Sequence, residues 1–395
     1  MSELQSVHMS IGDIKMILQD CIHWWTNSET PIYHKLLLIV LVSYSVVSLV
    51  VGIYYGVTIG VDFPYPASQK LWSFNYQPFS PELTILQYGH FLWFVMYPFT
   101  LLAPTVSSVA FALTNICLGT VVVWMLGTHV KLPMRFIGLI TLIMYSSNSF
   151  RHCIGNAQTS ILTLFFVTAG MLYASKGHLK TFNSFIILGM GYIRYNFFPP
   201  FVTYLMFGKG LRAVVYALII PITFWLLFAQ IFSISLLDAL LKPIQTVDYT
   251  TATGIADFMT LVVLFVSRTF SGFQAIYFLT PTLLSLVTGY YIATIKPSPL
   301  FALALCLIAG LITYFHPLYD FVALLPTFIV GIKYRHHKEG KILLYGIGYF
   351  WFLAKVFYHF LVPINIIVPV NLLVLGIIFI VTIKLSKKIT ANADY

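Results

Sequence analysis

The sequence predicts an all-α, polytopic transmembrane helical bundle, and three observations predict it. Of 395 residues, 59% are hydrophobic and 9% charged, with a mean hydropathy of +0.88, whereas water-soluble domains carry about a quarter charged residues. Apolar runs alternate with short polar punctuation along the whole chain. Lys and Arg cluster in short connections, the pattern that marks the cytoplasmic side of membrane proteins.

Residues 1–35 are expected to form an amphipathic N-terminus, cytoplasmic or interfacial. The stretch "IGDIKMILQDCIHWW" places Trp24 and Trp25 at headgroup level, and nothing in the first 30 residues joins a charged n-region to an apolar h-region and an A-x-A site, so no cleaved signal peptide is expected. The first long run, "LLLIVLVSYSVVSLVVGIYYG" (36–56), matches the ~20 apolar residues that cross a bilayer. Further runs fall at 85–103, 106–127, 136–150, 159–175, 182–207, 213–235, 257–270, 276–295, 299–315, 319–333, 341–361 and 364–384, which predicts ten to thirteen helices, several short or broken. Residues 36–333 form the main transmembrane module. Residues 334–395 add a C-terminal transmembrane hairpin and a basic cytoplasmic tail.

Charge sets the sidedness. "KYRHHKEGK" (333–341) and "KLSKK" (384–388) read as cytoplasmic, and two crossings join them. Counting backwards, the run 319–333 descends and 299–315 ascends from Lys296, so the turn "YFHPLYD" (314–320) faces the opposite side. "KGHLK" (176–180) and "GKGLR" (208–212) both read as cytoplasmic with a single run between them. A broken hairpin reconciles them: 182–193 climbs, "RYNFFPP" (194–200) forms the tip, and 201–207 returns after Pro199 and Pro200 end the helix. The same reasoning puts "KLPMR" (131–135) inside and "RHCIGNAQ" (151–158) outside; given a cytoplasmic N-terminus, which Lys35 favours, the loop 57–84 lies on the outer face, as does 236–256. Whether 85–103 crosses fully or re-enters stays open at this level.

The net charge of +10 follows from those basic connections and does not indicate nucleic acid. Cys21, Cys117, Cys153 and Cys306 are scattered without CxxC spacing, which supports neither a disulfide framework nor a zinc site. Walker A, GxGxxG, HExxH and GxSxG segments are absent, and with them the usual signatures of ATP-driven transport, zinc proteolysis and serine hydrolysis. No metal or other cofactor is expected.

The twelve acidic residues are scarce enough to weigh singly, and Asp62, Glu82, Asp238, Asp248, Asp257 and Asp320 all fall at or near the outer face. Ionisable groups at membrane depth are functional candidates. Asp62, in "GVDFPYP", is followed by two prolines that stiffen its backbone; a merely solvated loop carboxylate is the alternative. "YFHPLYD" brings His316, Tyr319 and Asp320 together around Pro317. Its imidazole suits proton exchange or phosphate binding, or else a bond to a backbone carbonyl. Arg194 sits within an apolar run, where a guanidinium requires an anionic ligand such as a lipid phosphate, or a pairing with Asp257 or another outer carboxylate. Arg151 and His152, followed by Asn156 and Gln158, offer a second cationic and amide-rich patch for phosphate and sugar hydroxyls. Lys242 and Arg268 are lesser cationic candidates.

Four stretches resemble the GT-C superfamily of integral-membrane glycosyltransferases, and within it the polyprenol-phosphate-mannose-dependent glycosyltransferase family 87. "VDFPYP" resembles that family's acidic "DF" segment, and "FLWFVMYPFTLLAPTVSSVAFALTN" its proline-punctuated second and third helices. "IGNAQTSILTLFFVTAGMLYASKG" is similar to its "GQ" helix, and "HPLYDFVALLP" to its late His-to-Pro segment. The likeness spans residues 36 to 330. Two departures stand out: Asn156 intervenes between Gly and Gln, and Arg194 occupies the place of a Lys before Pro.

The resemblance implies a GT-C fold, a catalytic acid residue at Asp62 and an active-site histidine at His316. It implies transfer of a hexose, mannose-like, from a polyprenyl-phosphate sugar to a glycolipid or glycan acceptor, at the outer face of a bacterial inner membrane. Arg194, Arg151 and Lys242 would then hold the donor phosphate, and Gln158, Asn156, Tyr319, Asp320 and Glu82 the sugar or acceptor. Partners are the lipid-linked donor, the acceptor and membrane lipids, with no nucleic acid. The competing readings are a secondary transporter or flippase, which favours paired helix breaks in the two halves, and an O-antigen polymerase or serotype-converting glucosyltransferase.

Overall fold

The computed structural model describes residues 31–58, 65–76, 78, 88–175, 182–245, 255–266, 274–358 and 362–393. These form an all-α bundle, with no strand among the described residues. The first helix, α1 (Ile32–Thr58), shows why lipid is its solvent. Its buried residues are Ser45, Ser48, Gly52 and Gly56, whereas Leu36, Val40, Val47 and Val50 are exposed. Between lipid-embedded helices, small residues permit close approach and hydroxyls bond across the contact. Ser45 Oγ donates to the Leu142 carbonyl at 3.0 Å, and a methyl group on Gly56 would sit 3.0 Å from the Ile154 carbonyl.

After α2 (Tyr65–Trp72) comes α3 (Phe91–Thr100), whose 10 residues span only about 15 Å. By length, α3 does not cross a bilayer as a single helix. α4 (Pro104–His129) is long and apolar enough to do so, as are α1, α10 (Leu211–Ile231) and most of α17 (Ile364–Ala393). α5 (Met134–Ser146) leads to a pair bent by 113°, α6 (Asn148–Gly155) and α7 (Ser160–Ser175).

The broken hairpin between the two basic connections is present. α8 (Phe182–Met190) ends in two 3₁₀ turns around Arg194, and α9 (Phe198–Gly208) begins with Pro199 and Pro200 in its first turn. Phe185 stacks near Tyr216 while Gly189 lies against Ala217 and Pro221, so α8 and α10 run the same way. The intervening α9 therefore runs back.

α11 (Leu236–Gln245) lies in the second outer loop predicted from sequence, with Leu236, Leu237, Leu240 and Leu241 exposed. α12 (Phe258–Val266) and α13 (Gln274–Thr294) precede α14 (Pro299–Thr313), which is buried almost all round, as a helix apolar on every face should be. After the 3₁₀ segment Leu318–Leu324 come α15 (Leu325–Lys333) and α16 (Lys338–Gly348). α16 runs into a π-helical turn, Tyr349–Leu353.

The C-terminal part packs as one with the rest. α17 lies along α14 and α16, and Trp351 Nε1 donates to the Phe321 carbonyl at 2.9 Å.

Contacts divide the bundle into two ends. The Arg135 and Arg335 guanidinium groups both face Phe136, Glu339 lies 3.8 Å from Lys388, Lys387 lies over Tyr291, and Gly208 abuts Ala293. The basic connections 131–135, 208–212, 333–341 and 384–388 thus share one end. The breaks at 156–159, 191–197 and 314–320 meet at the other.

Candidate functional site

Three helix breaks build the site. The first follows α6, where Asn156 closes the helix by donating its backbone N–H to the His152 and Ile154 carbonyls. Ala157 takes a left-handed conformation, φ 51°, and the chain turns into α7. In the second, α8 already ends at Met190, and Pro199 and Pro200, expected to end a helix, instead open α9, which leaves Arg194 between two 3₁₀ turns in extended backbone. In the third, α14 ends at Thr313 and Pro317 starts the 3₁₀ segment that carries Asp320.

Breaking a helix in lipid frees backbone groups that must find partners. Side chains supply them here. Asn196 Nδ2 donates to the Phe315 carbonyl at 3.2 Å, and Asn371 Nδ2 to that of Ile255 at 2.7 Å. Asp257 caps α12, accepting from the Thr260 N–H at 2.7 Å, and also accepts the His316 N–H at 3.5 Å.

At the junction lies a buried polar network centred on Asp320. Its Oδ1 accepts from Arg194 Nη1 at 2.8 Å and from Ser160 Oγ at 2.5 Å, and its Oδ2 meets His316 Nδ1 at 2.8 Å. Arg194 Nη1 also reaches Ser160 Oγ at 2.8 Å and Gln158 Oε1 at 3.1 Å, while the Tyr319 ring lies 5.6 Å from its guanidinium carbon. Tyr88 OH donates to Gln158 Oε1 at 3.4 Å. Asp320 and His316 are fully buried, and Arg194 retains 8% of its exposure. Ion pairs in such surroundings persist only when hydrogen bonds satisfy the remaining lone pairs and protons.

Among the described residues, neither His316 Nε2 nor Gln158 Nε2 makes a hydrogen bond of good geometry, though the Gly310 backbone lies beside the imidazole. With Nδ1 engaged by a carboxylate, the imidazole presents Nε2 as its other nitrogen, the arrangement by which a carboxylate orients a histidine for proton exchange or ligand contact. The Phe197 ring packs beside it, with centroids 4.3 Å apart.

Compared with protein-family models, curated proteins and solved structures, this chain matches none. Its site therefore has to be judged on its own residues.

The structure brings together His316, Asp320, Tyr319, Arg194 and Gln158. It leaves Lys242 apart, paired with Asp238 at 3.6 Å on α11. For Arg194, the alternative read from sequence is the one found, with Asp320 rather than Asp257 as the carboxylate. Arg151 and Asn156 lie half-buried on and just after α6. Asp62, Glu82, Asp248 and Arg268 lie outside the described residues.

Among the described residues, no group of three or more His, Cys, Asp or Glu side chains could hold a metal ion. Ser160, Asn196 and Tyr88 were missed from sequence, since hydroxyls and amides are too common to stand out. Lys355, half-buried beside the π-turn, did carry a signal: it is a lone cation inside the apolar run 341–361.

Proposed function

We propose that this protein is an inverting glycosyltransferase that moves a mannose-like hexose from a polyprenyl-phosphate donor to a glycolipid or glycan acceptor. One observation carries the reading beyond the sequence resemblance. Two of the resembling stretches, "IGNAQTS" and "HPLYDFVALLP", meet through Ser160 and Asp320 in a buried polar site. That site lies at the end of the bundle opposite the Lys and Arg belt, which by the positive-inside rule is the extracytoplasmic end, in this reading the outer face of a bacterial inner membrane.

The chemistry is a single displacement. Asp62 as carboxylate takes the proton of an acceptor hydroxyl while that oxygen attacks the anomeric carbon, and the bond from that carbon to the phosphate oxygen breaks. The lipid phosphate departs already anionic, so it needs electrostatic stabilisation rather than an acid. His316, oriented by Asp320, presents Nε2 to the reacting sugar phosphate. Arg194 pairs with Asp320 and holds it in place.

A secondary transporter is the second reading, favoured by the additional broken span at 156–159. One experiment separates them. Purified protein in nanodiscs, given a polyprenyl-phosphate hexose and a glycolipid acceptor, releases free polyprenyl phosphate if it is a transferase. Translocation of substrate across liposomes without that release supports the transporter.

A further inference from the structure

We infer that Arg151, His152 and Lys355 form a binding site for a phosphate group carried on a lipid. The site joins two elements far apart in sequence. Lys355 Nζ hydrogen-bonds His152 Nε2, and Arg151 Nη2 donates to Asn148 Oδ1 at 2.6 Å. Asn148 in turn donates its amide to the Phe352 carbonyl at 3.1 Å, fastening α6 to the π-turn. Turns of this kind recur at functional sites, because the extra residue re-aims the side chains that follow.

Two cations are thereby held together. Arg151 and Lys355 are both half-buried, and among the described residues no carboxylate lies within 4 Å of either. Like charges fixed in a partly desolvated setting are costly, and a bound anion removes that cost. The planar guanidinium beside an ammonium fits the oxygens of a phosphate. α1 passes directly alongside, with Gly52 against the Arg151 carbonyl.

This deepens the transferase reading, on which it rests for the phosphate's identity as the donor's, by moving phosphate recognition away from Arg194. The Arg194 guanidinium is already engaged by Asp320. Lys355 becomes the residue that completes the site.

The test is binding without turnover. Full-length protein in nanodiscs is titrated with a fluorescent polyprenyl phosphate, with the uncharged polyprenol and with inorganic phosphate as competitor. Lys355→Gln and Arg151→Gln are expected each to weaken polyprenyl-phosphate binding tenfold or more and to leave polyprenol binding unchanged. Lys355→Arg restores affinity, and Lys209→Gln, at the opposite end, has no effect. Competition by inorganic phosphate at millimolar concentration marks the phosphate alone as sufficient; its failure to compete marks the lipid as required. Unchanged polyprenyl-phosphate affinity in both Gln variants overturns the site. A protein that shows this binding pattern but releases no polyprenyl phosphate in the transfer assay keeps the site and loses the transferase reading.

Discussion

The Arg194 guanidinium lies 2.8 Å from the Asp320 carboxylate, deep between the broken tip of the α8–α9 hairpin and the 3₁₀ segment after α14. The pair is the keystone joining the helix breaks, since Asp320 also holds Ser160 and His316.

Removing one charge strands the other. Asp320→Leu is expected to destabilise the protein by about 3–5 kcal/mol, because Arg194 then lies buried without its counter-charge. Adding Arg194→Met recovers much of that loss. Unfolding in detergent, followed by tryptophan fluorescence, measures both; a double variant as unstable as the sum of the two singles contradicts the pairing.

The α8–α10 contact depends on the missing side chain of Gly189. A methyl group there would lie 2.1 Å from the Ala217 carbonyl, so Gly189→Ala costs about 1–3 kcal/mol through overpacking. Gly138, in α5, has nothing within 4 Å of its would-be methyl. Gly138→Ala is expected to be neutral or stabilising by about 0.5–1 kcal/mol, and thermal melts of the two variants read the contrast.

The two ends of the bundle should lie on opposite sides of the membrane. With the native cysteines replaced, Ser73→Cys, at an exposed position just after α2, is expected to react with a membrane-impermeant maleimide in intact cells. Lys338→Cys, exposed at the start of α16, reacts only in inverted vesicles. Labelling of both from the same side refutes the sidedness.

His316 has Nδ1 fixed by Asp320, and its Nε2 makes no well-formed hydrogen bond among the described residues. His316→Ala is expected to lower kcat by roughly 100-fold or more while leaving the affinity for the donor within a few-fold, measured by single-turnover transfer and donor titration. An equal loss in donor binding would make it a binding residue instead.

Much of the fold was legible because lipid leaves so few options. Composition and the spacing of basic connections predict a helical bundle, and the duplicated cytoplasmic markers around 182–207 force the broken hairpin that α8 and α9 display. The site was legible only where polar residues are out of place: Arg194 in an apolar run, His316 and Asp320 flanking Pro317. What joins them was not. The choice of Asp320 over Asp257 as the partner of Arg194 depends on which side of α14 each break approaches. That is a matter of helix packing, which no local pattern encodes. Lys355 lay in a stretch without any resemblance, and only the contact of the π-turn with α6 gives it company.

Asp62→Asn tests the central claim most directly. In nanodiscs supplied with polyprenyl-phosphate hexose and acceptor, the wild type is expected to release polyprenyl phosphate. The Asp62→Asn variant is expected to release none while binding the donor with an affinity close to that of the wild type. Full turnover in the variant would contradict the account.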